Sequence, residues 1–274
     1  MEKLWQPEDK WFTAGNLKLH YLDWGNPTAM PVVLLHHHTG IARYWDFLAQ
    51  GFRQEYHVIA VDQRGHGDSS WMGSYNHQEY ADDLAKFADN LGMDDMVLIG
   101  HSLGGINSII YTASHPEGVA QLVIVDIGPQ INIEGTQKFR KRMYSIPEAF
   151  ASEEEAGRQL KQVNPRYSDD LIRHLVKYAM KRDESGSLIF KYDPALRRIE
   201  HSSLKYLWQH LDKIICPTLI VRGSESELLT VEAAQNMLQV LPKGTLADIE
   251  HAGHNLPGDN PKAFTAAVRI FLDG

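Results

Sequence analysis

The chain has 274 residues, 43% of them hydrophobic, enough to bury one substantial core with a small accessory unit. A disordered chain, a fibre and a disulfide-stapled mini-domain are therefore excluded. With 27 Lys and Arg against 35 Asp and Glu the formal charge is −8, so the electrostatic footprint of a nucleic-acid binder is missing and a small-molecule substrate is expected instead.

The start, Met1 to Lys10, mixes charged with apolar residues, unlike a secretory signal, and no apolar run approaches the roughly 20 residues that span a bilayer. Cys216 is the only cysteine, which rules out an intrachain disulfide. A soluble cytoplasmic protein without membrane contact is expected, and no signal speaks to oligomeric state. Leu17 to Trp24 alternates and ends at Gly25-Asn26-Pro27, predicting an antiparallel edge strand. Short apolar runs follow at Val32 to Leu35, Val58 to Val61, Met96 to Ile99, Leu122 to Val125, Leu219 to Val221 and Leu246 to Ile249. They lack alternation, the pattern of strands covered on both faces. Helical spacing fills most of the gaps, at Ala42 to Phe52, His77 to Leu91, Leu103 to Ser114, Val231 to Val240 and Pro261 to Leu272. The alternation predicts an α/β fold with a mostly parallel sheet.

Between residues 127 and 205 the rhythm breaks into successive helix-like stretches without strands. This segment carries 15 Lys and Arg against 11 Asp and Glu, so a mildly basic helical cap is expected there, inserted into a core made of residues 1–126 and 206–274. Its charge suits a carboxylate-bearing substrate. Phe139, Met143, Tyr144, Phe150, Tyr167 and Tyr178 are candidate walls or simply helix core, and Arg140, Arg166 and Arg173 are candidate anion contacts. Trp208 and Leu211 are expected to pack.

Gly100-His101-Ser102-Leu103-Gly104-Gly105 lies directly after the Met96 to Ile99 strand and opens a helix. That is the context of a G-x-S-x-G nucleophile elbow, where a serine sits on a sharp turn and glycines admit close backbone approach. A helix-capping serine is the plainer alternative. A serine nucleophile needs a base, and His254, in the loop between the last strand and the last helix, opens onto the same sheet edge. His251, assigned to the end of that strand, is its rival among the 14 histidines.

With Leu34-Leu35-His36, Asp62-Gln63-Arg64-Gly65-His66-Gly67-Asp68-Ser69, the elbow and Gly253-His254, the chain resembles an α/β-hydrolase over nearly its whole length. The resemblance implies an eight-stranded sheet flanked by helices, a helical cap, a Ser-His-acid triad and no cofactor. For the acid, Asp126 follows one strand, and Glu225 or Glu227 follows a later one. Asp126-Ile127-Gly128-Pro129 together with a later Arg-Gly-x-x-Ser resembles the hydrolases whose acid comes from the earlier strand, which favours Asp126 over Glu227. The oxyanion donors implied are the N–H of Leu103 and, by resemblance, of His38. The usual His-Gly-x is replaced by His36-His37-His38, so His37 and His101 join Tyr144, Arg140 and Arg166 as candidate pocket residues. A metal on the three histidines is not expected, since consecutive residues point apart and no acidic or thiol ligand accompanies them.

A serine esterase is therefore the leading expectation. A lactonase, an amide or C–C bond hydrolase of a ring-cleavage product, and cofactor-free oxygenation near His38 and His101 are alternatives. A receptor that has kept the fold without catalysis stands outside the enzyme class.

Overall fold

The computed structural model describes residues 5–199 and 203–274; residues 1–4, where the sequence reading began, and residues 200–202 within the inserted stretch lie outside the described part. The chain opens with β1 (Glu8–Ala14) and β2 (Leu17–Asp23), then runs through β3 (Pro31–Leu35), α1 (Asp46–Phe52), β4 (His57–Val61), α2 (His77–Leu91), β5 (Met96–His101), α3 (Leu103–Ser114) and β6 (Val119–Val125). The next stretch holds α4 (Ile133–Met143), β7 (Ala149–Phe150), α5 (Glu153–Val163), α6 (Asp169–Ala179), β8 (Met180–Arg182) and β9 (Leu188–Phe190). The chain returns through α7 (Trp208–Leu211), β10 (Thr218–Gly223), α8 (Val231–Val240), β11 (Gly244–Ile249), α9 (Leu256–Asp259) and α10 (Pro261–Asp273). No helix among the described residues is long and apolar enough to cross a membrane.

Eight strands form one sheet in the order β1-β2-β4-β3-β5-β6-β10-β11, with β2 antiparallel to both its neighbours and β3 to β6, β10 and β11 paired in parallel. The absence of alternation in the central strands has a direct cause. Val33, Leu35, Leu98 and Ile124 turn to the face covered by α2, α3 and α8, while Val32, Leu34, Ile99 and Val125 turn to the face covered by α1 and α10. Helix ends follow local chemistry: α2 starts on an Asn76–Glu79 capping box and stops at Gly92, whose φ of 61° is left-handed.

Two expectations are corrected. Leu17–Asp23 is an inner strand, because β1 covers its outer side; β1 was missed because it is mostly exposed and interleaves charge with aromatic residues, as edge strands do. Residues 127–205 do contain strands, a three-stranded antiparallel sheet in the order β7-β9-β8. Each has only two or three residues, too short for a periodic signal. This stretch packs its own apolar cluster, including Phe150, Leu160, Tyr167 and Val176. Leu211 is in the main core and Trp208 packs against it.

The topology places one crevice. From β3 the chain steps outward to β4, then crosses back to β5 on the other side of β3. The loops after β3 and β5 part at their carboxyl ends, where open α/β sheets bind ligands. At that point α3 packs hard onto β3: a Cβ on Gly104 would lie 2.2 Å from the Leu35 carbonyl oxygen, and one on Gly100 would lie 2.3 Å from that of Gly104. Gly104→Ala is therefore expected to destabilise the fold by about 3 kcal/mol or more, read from urea unfolding. An unchanged midpoint would mean that the helix can back away from the strand at little cost.

Candidate active site

Ser102 sits between β5 and α3 with φ 52° and ψ −110°, a conformation that strains a non-glycine residue by about 1–3 kcal/mol. Its N–H donates to the Val125 carbonyl at 3.0 Å, so the sheet ladder continues beneath the turn while the side chain rises above it. Asp126, one strand further on, repeats the device: φ is 50°, and its N–H donates to the Val221 carbonyl at 2.8 Å. Strain at two successive strand ends is held by the same backbone bonding.

His254 follows β11 and is nearly buried, at 4% exposure. Its Nδ1–H donates to Asp126 Oδ2 at 2.8 Å. The Asp126 carboxylate is fully buried and also accepts from the Ser226 hydroxyl at 2.5 Å and the Gly223 N–H at 3.1 Å, which satisfies its oxygens without a cation. Ser226 is the serine of the Arg-Gly-x-x-Ser pattern. Glu227 does not reach the histidine; it pairs with Arg142 at 2.6 Å. Glu225 pairs with Arg166. His251 lies beyond the end of β11 on an exposed turn with φ 57° and is not in this cluster.

Ser102, Leu103 and His254 line one cleft, together with His37, His38, Arg140 and Tyr144. Phe139 of α4 sets its ring edge-to-face on His254, centroids 4.9 Å apart. His77 lines the same cleft and was missed in the sequence, because nothing in a helix-start histidine signals which way it faces. A second lobe runs on past His37, Met143 and Tyr144 toward Tyr44, Tyr167 and Tyr192. Phe150 is core of the inserted stretch, and Tyr178 stacks under Arg43.

Two candidate pocket residues are placed elsewhere. His101 is fully buried beneath the cleft, where its Nε2–H donates to the His254 carbonyl at 2.8 Å, because a residue just before the elbow points down into the sheet rather than up. Arg166 lines an outer groove beside Glu225 and Asp259 rather than the inner cleft, and Arg173 is exposed on Asp170.

The loop after β3 is built around its histidines. Gly104 N–H donates to the His36 carbonyl at 3.2 Å, tying the loop to the first turn of α3. Leu103, the first residue of α3, has an N–H that no intrahelical carbonyl can take. His37 does not need the freedom of the glycine it replaces, since the left-handed residue here is Thr39, φ 65°. The His37 Nδ1–H and the Thr39 hydroxyl both donate to the His38 carbonyl, at 2.7 and 2.6 Å, and His38 Nε2 donates to the Leu196 carbonyl at 3.1 Å.

Burial holds several of these imidazoles neutral. The pKa values of His36 and His66 are pushed down to about 3, and those of His37 and His77 to about 4. Asp46 shifts the other way, up to about 7, for the same reason. An unfolded chain protonates its histidines below pH about 6.5, whereas these stay neutral in the fold, so their contribution is complete above that pH and is lost as the pH falls. Asp46 opposes this between about pH 4 and 7, and the raised pKa values of Asp259 and His20 oppose it too, but His101 and His174 also shift down, so the lowered histidines outnumber the opposing groups six to three. Stability to urea is expected to fall by several kcal/mol from pH 7.5 to pH 5, at about 1.4 kcal/mol per pH unit for each net proton. A flat profile would contradict the burial of these rings.

Among the described residues, the one group whose potential metal-ligand atoms lie together is His20, Asp62 and Asp68, away from the three histidines of the loop. There His20 Nδ1 already bonds Asp62 Oδ2 at 2.7 Å.

Comparison with known proteins agrees with this architecture. An esterase of Mycobacterium tuberculosis is 27% identical over 97% of this chain and 90% of its own length, and a solved structure of it superposes with a TM-score of 0.81 at 26% identity, covering 98% of this chain and 93% of that one. A 2-(acetamidomethylene)succinate hydrolase of Mesorhizobium japonicum is 28% identical over 79% of this chain and 78% of its own. The solved structure of an E-2-(acetamidomethylene)succinate hydrolase superposes with a TM-score of 0.88 at 24% identity, covering 98% of this chain and all of the other. The model of the alpha/beta hydrolase fold matches residues 30–261, and the chain belongs to that family of hydrolases.

Proposed function

We propose that this hydrolase cleaves a small carboxylic ester, or a lactone, through an acyl-enzyme formed on Ser102. The observation that carries the reading is the 2.8 Å bond between His254 and Asp126 beside a cleft that Ser102 lines. With Nδ1–H committed to Asp126, the neutral imidazole keeps Nε2 as its basic nitrogen and takes the Ser102 proton as Oγ attacks the carbonyl. Asp126 fixes that tautomer and stabilises the imidazolium; Ser226 and Gly223 keep its oxygens in place. The N–H groups of Leu103 and His38 receive the oxyanion, and water activated by His254 then releases the acid. Residues 127–205 serve as a cap on the core of residues 1–126 and 206–274, closing over His254 through Phe139. A cytoplasmic location accords with a single, buried cysteine, Cys216.

Similarity to the M. tuberculosis esterase supports ester cleavage. Similarity to the M. japonicum hydrolase, named for an acetamido compound, favours as a second reading the hydrolysis of an acylated nitrogen by the same groups. Labelling with a fluorophosphonate tests the common step. A mass adduct on Ser102, absent from Ser102→Ala, is expected. Failure of the wild type to label would overturn the reading and favour a ligand-binding protein.

A further inference from the structure

Among the described residues that line the inner cleft, Arg140 is the only Lys, Arg, Asp or Glu. The walls beside it are apolar, from Ile127, Ile131, Leu204 and Leu228, and His37 and His77 add no charge at neutral pH. Every other arginine of α4, α5, α6 and their connections meets a carboxylate: Arg142 on Glu227, Arg158 on Glu154, Arg166 on Glu225 and Arg173 on Asp170. Arg140 has no such partner among the described residues. Its Nη2 donates to the Ile199 carbonyl at 3.0 Å, and its guanidinium lies 5.4 Å from the centre of the Tyr144 ring. None of its nitrogens is both buried and unpartnered, and its side chain lines the cleft.

A permanently charged fork beside apolar walls, with no counter-ion among the described residues, is costly to desolvate, and a planar carboxylate satisfies it with two parallel hydrogen bonds. With no Lys and no second Arg among the described lining residues, a doubly charged phosphate would meet only one permanent positive charge. We propose that the substrate of the Ser102 reaction carries a carboxylate, held by Arg140 and separated from the scissile carbonyl by a short apolar spacer. This rests on the hydrolase reading above and adds the substrate class to it. In this role Arg140 selects the substrate and is uninvolved in the proton transfers.

Two assays separate this proposal from the reading beneath it. The first compares kcat/KM for 4-nitrophenyl hemiglutarate, which ends in a carboxylate, with 4-nitrophenyl valerate, its neutral counterpart; 3-acetoxypropanoate and propyl acetate do the same with the charge on the alcohol side. The wild type is expected to favour a charged ester at least about tenfold, and Arg140→Met to lose about tenfold to a hundredfold on that ester while staying within about threefold on its neutral counterpart. Arg140→Lys, which keeps the charge without the fork, should recover only part of the loss. Added salt should slow the charged ester selectively. No preference in the wild type for either charged ester, or an Arg140→Met loss that falls equally on charged and neutral esters, overturns the proposal.

The second assay needs no turnover. Calorimetric binding of monomethyl glutarate to Ser102→Ala should be lost in Ser102→Ala/Arg140→Met, with dimethyl glutarate as the neutral control. If the wild type neither labels nor turns over any ester, the hydrolase reading fails, and this binding difference still decides the role of Arg140.

Discussion

Ser102→Ala is expected to remove about a millionfold of turnover while leaving the urea midpoint close to that of the wild type. The asymmetry follows from the site. The substitution takes one oxygen from a partly exposed turn whose backbone is held by the Ser102 N–H to Val125 and the Ile106 N–H to the Ser102 carbonyl, neither of which uses the side chain. The proposed reaction, in contrast, loses the atom that would form the covalent intermediate, and in a triad of known mechanism that loss is of this size, with only binding and oxyanion donors left to act. The measurement is kcat on one activated ester, with purification that excludes traces of wild type. Turnover within about tenfold of wild type would remove Ser102 from the mechanism.

Asp126→Asn is expected to lower kcat about ten-thousandfold, and Glu227→Gln to change it by less than about twofold. Asn keeps the shape of Asp126 but removes the charge that stabilises the imidazolium, and its amide no longer enforces the Nδ1–H tautomer, the change that costs about this much in a triad of similar design. Glu227 pairs with Arg142 across a largely exposed gap, with side-chain exposures of 34% and 42%, so breaking that pair costs at most about 1 kcal/mol of stability and touches no reacting atom. The two variants, assayed on one ester at one pH, rank the carboxylates directly. The reverse ranking would move the acid to the loop after β10 and leave the serine and histidine roles intact.

Sequence and structure agree most closely where the determinants are local. The helices expected at His77 to Leu91, Leu103 to Ser114 and Val231 to Val240 have those bounds, because each starts at a residue that caps or turns the chain and then follows a 3.6-residue apolar period. The elbow was legible for the same reason: its glycines and serine lie within six residues, and the strand before and helix after them are strongly patterned. The choice of Asp126 came from resemblance, and the physical ground for it, a buried carboxylate bonded to His254, depends on two segments 128 residues apart.

The amino-acid sequence by itself determined the α/β alternation, the elbow at Ser102 and the loop position of His254, since periodicity, glycine placement and turn chemistry act over a few residues. Tertiary structure alone decided that His254 meets Asp126, that His101 lies beneath the cleft instead of lining it, and that Arg166 is neutralised by Glu225 while Arg140 has no carboxylate partner among the described residues. It also decided that β1 covers β2 and that the stretch between β6 and β10 holds a small sheet. Such outcomes depend on which distant segments are brought together and on the direction each side chain takes there. Burial, charge pairing and desolvation act only on that assembled arrangement, and neighbouring letters of a sequence do not encode it.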